Sequence, residues 1–106
     1  MVTRADLPPG IQAVQATHAA LDFAVRYPDL TAAWHVASTT LVLLVVPDEL
    51  ALGWLEQDAR AAGLCVAPFH EPDLGNALTA VAVEPAGYRL LRRLPLAFTV
   101  AEEVRT

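Results

Sequence analysis

The chain contains no lysine; its seven basic residues are all arginine (Arg4, Arg26, Arg60, Arg89, Arg92, Arg93 and Arg105). That excludes Schiff-base chemistry, lysine general bases and the P-loop lysine. A single cysteine, Cys65, excludes an intramolecular disulfide. It and the scattered His18, His35 and His70 do not assemble the roughly four ligands that zinc requires. No metal and no other cofactor is expected. Long apolar runs are also missing. The longest stretch free of charge and proline, Leu30 to Val46, is interrupted by His35, Ser38 and three threonines, so no membrane-spanning segment is expected. The opening MVTRADLPPG has no apolar core of the kind a signal peptide carries. The reading is a soluble, cytoplasmic protein. Positive charge is scarce as well, twelve acids giving a formal net charge of −5. That balance discourages non-specific nucleic-acid binding, so a polyanionic partner would need a local arginine cluster.

What remains is apolar. Of 106 residues 55% are hydrophobic and 18% charged, with a mean hydropathy of +0.39. Such a chain is not disordered, and at this length residues 1–106 read as one domain. Pro8-Pro9 suits the first turn of a helix, from which Ile11, Val14, His18, Leu21 and Val25 recur at three- and four-residue spacing as one stripe. Ala13, Ala20 and Ala24 form a small-residue face suited to close packing, and Gln15, Asp22 and Arg26, with Gln12 beside them, form the only polar sector. Pro28 is expected to end this helix. Thr39 to Val46 is short, β-branched and continuous, which predicts a central strand buried on both faces. Pro47-Asp48-Glu49 opens a second helix with Ala51, Leu52, Leu55, Ala59 and Ala62 inward and Gly63 as its stop. Two further strands are expected at Leu64–Phe69 and Leu78–Val83, separated by the turn-rich His70–Asn76. A short helix follows at Tyr88–Leu94. Val2 to Ala5 could add a stub of strand. The order predicts a small α/β sheet with a right-handed parallel crossover.

Two segments resemble the type 2 peptidyl-tRNA hydrolases. Arg4-Ala5-Asp6-Leu7-Pro8-Pro9-Gly10-Ile11 followed by Gln15-Ala16-Thr17-His18-Ala19-Ala20 is similar to that family's Arg-Thr-Asp-Leu strand end, its Gly-Lys helix start and its Gln-x-x-His-Ala. Asp73-Leu74-Gly75 followed by Thr79 to Pro85 is similar to its Asp-Ala-Gly loop and last strand. The resemblance covers about residues 4–85. It implies a compact domain with a four-stranded mixed sheet flanked by helices, a homodimer, and hydrolysis of the ester joining a peptide or acyl group to the tRNA 3′ end. Carried over by position, Gln15, His18 and Asp73 match site residues and Gly10 matches the glycine before the site lysine. The lysine itself falls on Ile11. The Asp-Ala-Gly loop is shorter here, so its threonine has no counterpart; Asn76 and Thr79 are the nearest polar residues.

The chemistry divides these residues into roles. His18 is the candidate general base or carbonyl polariser, Asp73 an orienting carboxylate and Gln15 a substrate anchor. The helix start at Gly10-Ile11 could hold an anion. Arg4, Arg89, Arg92 and Arg93 are the candidate phosphate contacts, since arginine forks onto phosphate. Each has a plainer reading: His18 a satisfied core histidine, Asp73 a turn former, the arginines a solvated helix face. His70 and Glu71 fit either site rim or solvated turn. Trp54, turned away from Leu52 and Leu55, is a candidate homodimer contact or a residue packed under the C-terminal tail. Two other readings stay open. In one the fold persists without chemistry, as a homodimeric binding or interaction module. In the other, residues 39–85 form a small-molecule regulatory domain of the ferredoxin-like kind, which leaves Gln-x-x-His-Ala unexplained.

Overall fold

Proline sets the frame of the helices. Pro9, which has no N–H to leave unpaired, occupies the first turn of α1 (Pro9–Arg26), and Pro28 occupies the first turn of α2 (Pro28–Ala37). Pro28 therefore ends one helix and starts the next with only Tyr27 between. The expected stop at Pro28 is thus also a start, and α2 is an element beyond those the sequence predicts. The computed structural model describes residues 1–99. Its remaining elements are β1 (Val2–Arg4), β2 (Leu44–Val46), α3 (Glu49–Ala61), β3 (Val66–Glu71), β4 (Ala77–Val83) and the short α4 (Tyr88–Leu91). Single 3₁₀ turns occupy Pro72–Leu74 and Pro85–Gly87. The Asp48 carboxylate caps α3 by accepting from the Ala51 amide at 2.9 Å, and Gly63, at φ 78°, follows its end.

The four strands form one mixed sheet in the order β2-β1-β4-β3. β1 and β2 are parallel, and β4 is antiparallel to both its neighbours. The protein is thus a small compact α/β domain with a four-stranded mixed sheet flanked by helices. The central strands are β4 and the stub β1, whose Val2 and Thr3 are fully buried. This corrects the expected central strand at Thr39–Val46. Only Leu44–Val46 of that run is strand, it lies at one side of the sheet, and Leu41 and Val42 are exposed. Its outer edge is closed by residues 95–97, through Val45 N–H to Pro95 O at 3.0 Å and Ala97 N–H to Leu43 O at 2.9 Å. β2 and β3 do run parallel, but β1 and β4 lie between them, so α3 crosses the sheet instead of linking adjacent strands. The opposite edge, β3, is blunted by Pro68, which has no N–H to offer, and by the Tyr27 hydroxyl, which donates to Val66 O at 3.1 Å.

Each face of the sheet carries one long helix. Leu52, Leu55 and Ala59 of α3 pack with Val2, Val66 and Val81 on one side. Ala19 and the half-buried Phe23 of α1 meet Ala67, Ala80, Ala82 and Phe69 on the other. Alanine on alanine brings α1 close to the sheet. The buried face of α1 is Gln12, Gln15, Ala16 and Ala19, which reverses the expected orientation. The stripe of Ile11, Val14, Leu21 and Val25 faces solvent, while the small residues against the sheet are Ala16 and Ala19 rather than Ala13, Ala20 and Ala24. At the end of β4, a Cβ on Gly87 would sit 2.7 Å from Val83 Cγ1 and 3.2 Å from Leu64 Cδ1. Gly87→Ala should therefore overpack this corner and cost about 1–3 kcal/mol of stability, measurable as a lowered urea midpoint with unchanged slope.

Candidate functional site

A β-bulge explains why α1 buries Gln15. In the β3–β4 ladder Phe69 faces Ala80 while His70 faces Leu78, so Thr79 is the extra, unpaired residue. The insertion shifts the alternation: Leu78 belongs to the α3 side, yet so do Val81 and Val83. It also turns the Thr79 hydroxyl onto α1, where it donates to Gln15 Oε1 at 2.6 Å. The backbone freed by the bulge is satisfied by side chains. Leu78 N–H donates to the Glu49 carboxylate at 2.8 Å, Thr79 O accepts from the Thr3 hydroxyl at 2.8 Å, and Leu78 O accepts from Arg4 at 3.2 Å.

The network continues outward from Gln15. Its Nε2 donates to Glu71 Oε1 at 3.0 Å, and Glu71 Oε2 accepts from the Asp73 amide at 3.3 Å. Glu71 O also accepts from the Asn76 amide at 2.9 Å, in a turn where Gly75 and Asn76 are both left-handed. The Gln15 amide, then the Asp73 N–H, and to a smaller degree His18, hold the Glu71 carboxyl below the usual carboxylate range against the opposing effect of desolvation. His18 itself is exposed, and its ring lies flat on Phe69, with centroids 4.4 Å apart and planes 5° from parallel. An uncharged shallow pocket of Ala13, Val14, Thr17 and Leu21 borders it on α1. The arrangement sets a solvent-accessible imidazole, stacked on Phe69, within electrostatic range of a carboxylate held below the usual carboxylate range, with no hydrogen bond between the two among the described residues.

The expected site residues divide accordingly. Gln15, 97% buried with its carbonyl taken by Thr79, braces the site from within. Thr79 is fully buried in the same brace. Glu71 and the Asp73–Asn76 turn lie at the N-terminal end of β4, and His18 lies on Phe69, opposite Ala80 midway along it. Asp73 is exposed on its 3₁₀ turn and is tied to the network by its backbone alone among the described residues. Gly10 and Ile11 are exposed at the start of α1. Arg4 is occupied by Asp6, with both nitrogen–oxygen contacts at 3.0 Å, and by Leu78 O. Arg89, Arg92 and Arg93 are exposed beyond the other end of β4. They are not brought together with His18: α4 packs through Leu91 on the α3 face of the sheet, whereas His18 lies on Phe69 on the α1 face. Trp54 is exposed on α3 beside Glu49, Leu50 and Gln57, and His35 is exposed on α2. Phe69 as the platform and Glu49 as the bulge's acceptor escaped the sequence reading, because only the bulge register gives them these roles.

Among the described residues no group of histidine, cysteine, aspartate and glutamate could hold a metal ion, and no helix is long and apolar enough to cross a membrane. Comparison with protein-family models gives no match to the chain, and comparison with curated proteins gives none either.

Two outcomes follow from the network. Thr79→Val keeps the shape but leaves the buried Gln15 carbonyl without its donor, and should cost about 1–3 kcal/mol in urea unfolding. Because the Glu71 pKa is lowered on folding, its contribution to stability is present above the ordinary carboxylate pKa and is lost as pH falls through the folded value. Between about pH 5 and pH 3, wild-type stability should therefore fall more steeply than that of Glu71→Gln. Parallel profiles would contradict the bond.

Proposed function

We propose that this domain hydrolyses the ester between a peptide or acyl group and the 3′ end of tRNA, with His18 as the general base. The observation that carries the reading is the exposed imidazole stacked on Phe69, within electrostatic range of the Glu71 carboxylate. His18 takes a proton from water as the oxygen attacks the acyl carbon; the carbon–ribose oxygen bond then breaks and the proton passes to the departing ribose oxygen. Glu71 stabilises the imidazolium that forms. Asp73, on the turn that Glu71 orders, orients the water. The free N–H groups of Gly10 and Ile11 face the substrate's 3′ end, with Asn76 at the rim. Arg89, Arg92 and Arg93 contact phosphates farther along the tRNA. Gln15 and Thr79 are positioning residues, and Arg4, engaged by Asp6, belongs to the scaffold. No cofactor takes part in this reading.

The second reading, a binding module without chemistry, is favoured by one observation: Ile11 is an exposed apolar side chain where the resembling family has its site lysine. Turnover of a labelled peptidyl- or acyl-tRNA separates the two. His18→Ala should lower release at least about a hundredfold, and replacing Arg89, Arg92 and Arg93 should raise KM more than it lowers kcat. No release by the folded wild type, or equal release by His18→Ala, would overturn the hydrolytic reading and leave the binding module.

A further inference from the structure

The shallow pocket on α1 has a volume of about 240 Å³ and is walled by Ala13, Val14, Thr17, His18 and Leu21. Neither charged residue of the helix, Asp22 or Arg26, lines it. Its one hydroxyl is already used, since Thr17 donates to Ala13 O at 2.8 Å. The imidazole is the only other polar group in its wall. Pockets that hold a whole small ligand run to roughly 300–1,000 Å³, so this one has room for a part of a ligand, on the scale of one amino-acid side chain. Its position relates it to the chemistry. α1 advances about 100° per residue, so His18 projects between Val14, a wall of the pocket, and Gln15, which holds Glu71.

We infer that this pocket takes the side chain of the amino acid esterified to the tRNA and selects apolar side chains over acidic ones. The inference rests on the hydrolytic reading. In an aminoacyl ester the side chain branches from the carbon next to the acyl carbon. Water activated by His18 attacks that acyl carbon, so the branching group falls beside the imidazole, where the pocket opens. The order along α1 runs as the substrate does: the N–H groups of Gly10 and Ile11 at the ribose end, His18 at the ester, Leu21 beyond it. Methyl groups of the substrate gain by covering Val14 and Leu21. A carboxylate placed there gives up water and finds no unused donor except the imidazole that must accept the proton.

The test is hydrolysis by the full chain of N-acetyl-leucyl and N-acetyl-aspartyl esters carried on one and the same tRNA. The expected kcat/KM favours the leucyl ester about tenfold, the low end of discrimination by a hydrophobic pocket, because this pocket is shallow. Leu21→Arg should lower the leucyl-to-aspartyl ratio at least about tenfold. Val25→Arg, on the same helix but outside the pocket, should leave the ratio unchanged. Taking the ratio within each variant cancels any general attraction of the added arginine for tRNA. Leu21 and Val25 are 61% and 82% exposed, so both variants should fold, as far-UV circular dichroism would show. Equal hydrolysis of the two esters by the wild type would overturn the pocket and leave the hydrolytic reading standing. So would a ratio that both arginines change alike. If the folded wild type hydrolyses neither ester, the hydrolytic reading fails, and the N-acetyl-leucyl and N-acetyl-aspartyl amides of 3′-aminoadenosine decide the pocket. Saturable shifts of the Val14 and Leu21 methyl resonances with the leucyl amide alone would support it; no shift, or equal shifts with both amides, would overturn it.

Discussion

The hydrogen bond from Thr79 to Gln15 fixes how α1 lies on the sheet, and the rest of the site follows from that rotation. α1 carries a more apolar face than the one it buries. Docking through Val14, Leu21 and Val25 would gain roughly 1.5–3 kcal/mol for each side chain fully removed from water. It would also leave the Thr79 hydroxyl and the bulged β4 backbone facing hydrocarbon, and it would replace Ala16 and Ala19 with side chains too large for the alanine surface of Ala67, Ala80 and Ala82. Buried polar groups are expensive mainly when unpaired, so one glutamine placed opposite one bulge decides the rotation.

From that rotation comes the disposition of functional groups. Turning Gln15 inward sets His18 at the margin between sheet and solvent, over Phe69 at the edge strand. The same glutamine reaches Glu71, which orders the turn holding Asp73. The bulge thus links the interior of the sheet to the Asp73 turn through Gln15 and Glu71. It also leaves Ile11, Val14, Leu21 and Val25 of α1 exposed.

Much of this was legible in the residues. The bounds of α1 follow from Pro9 and Pro28, those of α3 from Asp48 and Gly63, and the α/β order from the alternation of apolar runs. The elements misread have identifiable causes. Thr39–Val46 looks like a central strand because apolar composition does not distinguish a buried strand from exposed chain that is covered only in part, while three residues at Val2–Arg4 were too short to stand out as the true centre. Pro28 hid α2 because one residue served two helices. The α1 rotation was misread because hydrophobic periodicity assumes that the apolar stripe faces in, and nothing in the sequence announces a bulge at Thr79. The histidine and the turn aspartate are candidates by resemblance alone, whereas the bonds of Glu71 to Gln15 and to the Asp73 amide required the register of β3 on β4.

The rotation of α1 is the claim on which the others stand, and solvent paramagnetic relaxation enhancement of methyl resonances measures it directly. The account predicts strong broadening of the Val14, Leu21 and Val25 methyls by a soluble gadolinium agent. Ala16 and Ala19 should be protected, with nuclear Overhauser contacts from Ala19 to Ala80 and from the Gln15 side chain to Thr79. Protected Val14 and Leu21 methyls with contacts to β4, and a broadened Ala19, would contradict it.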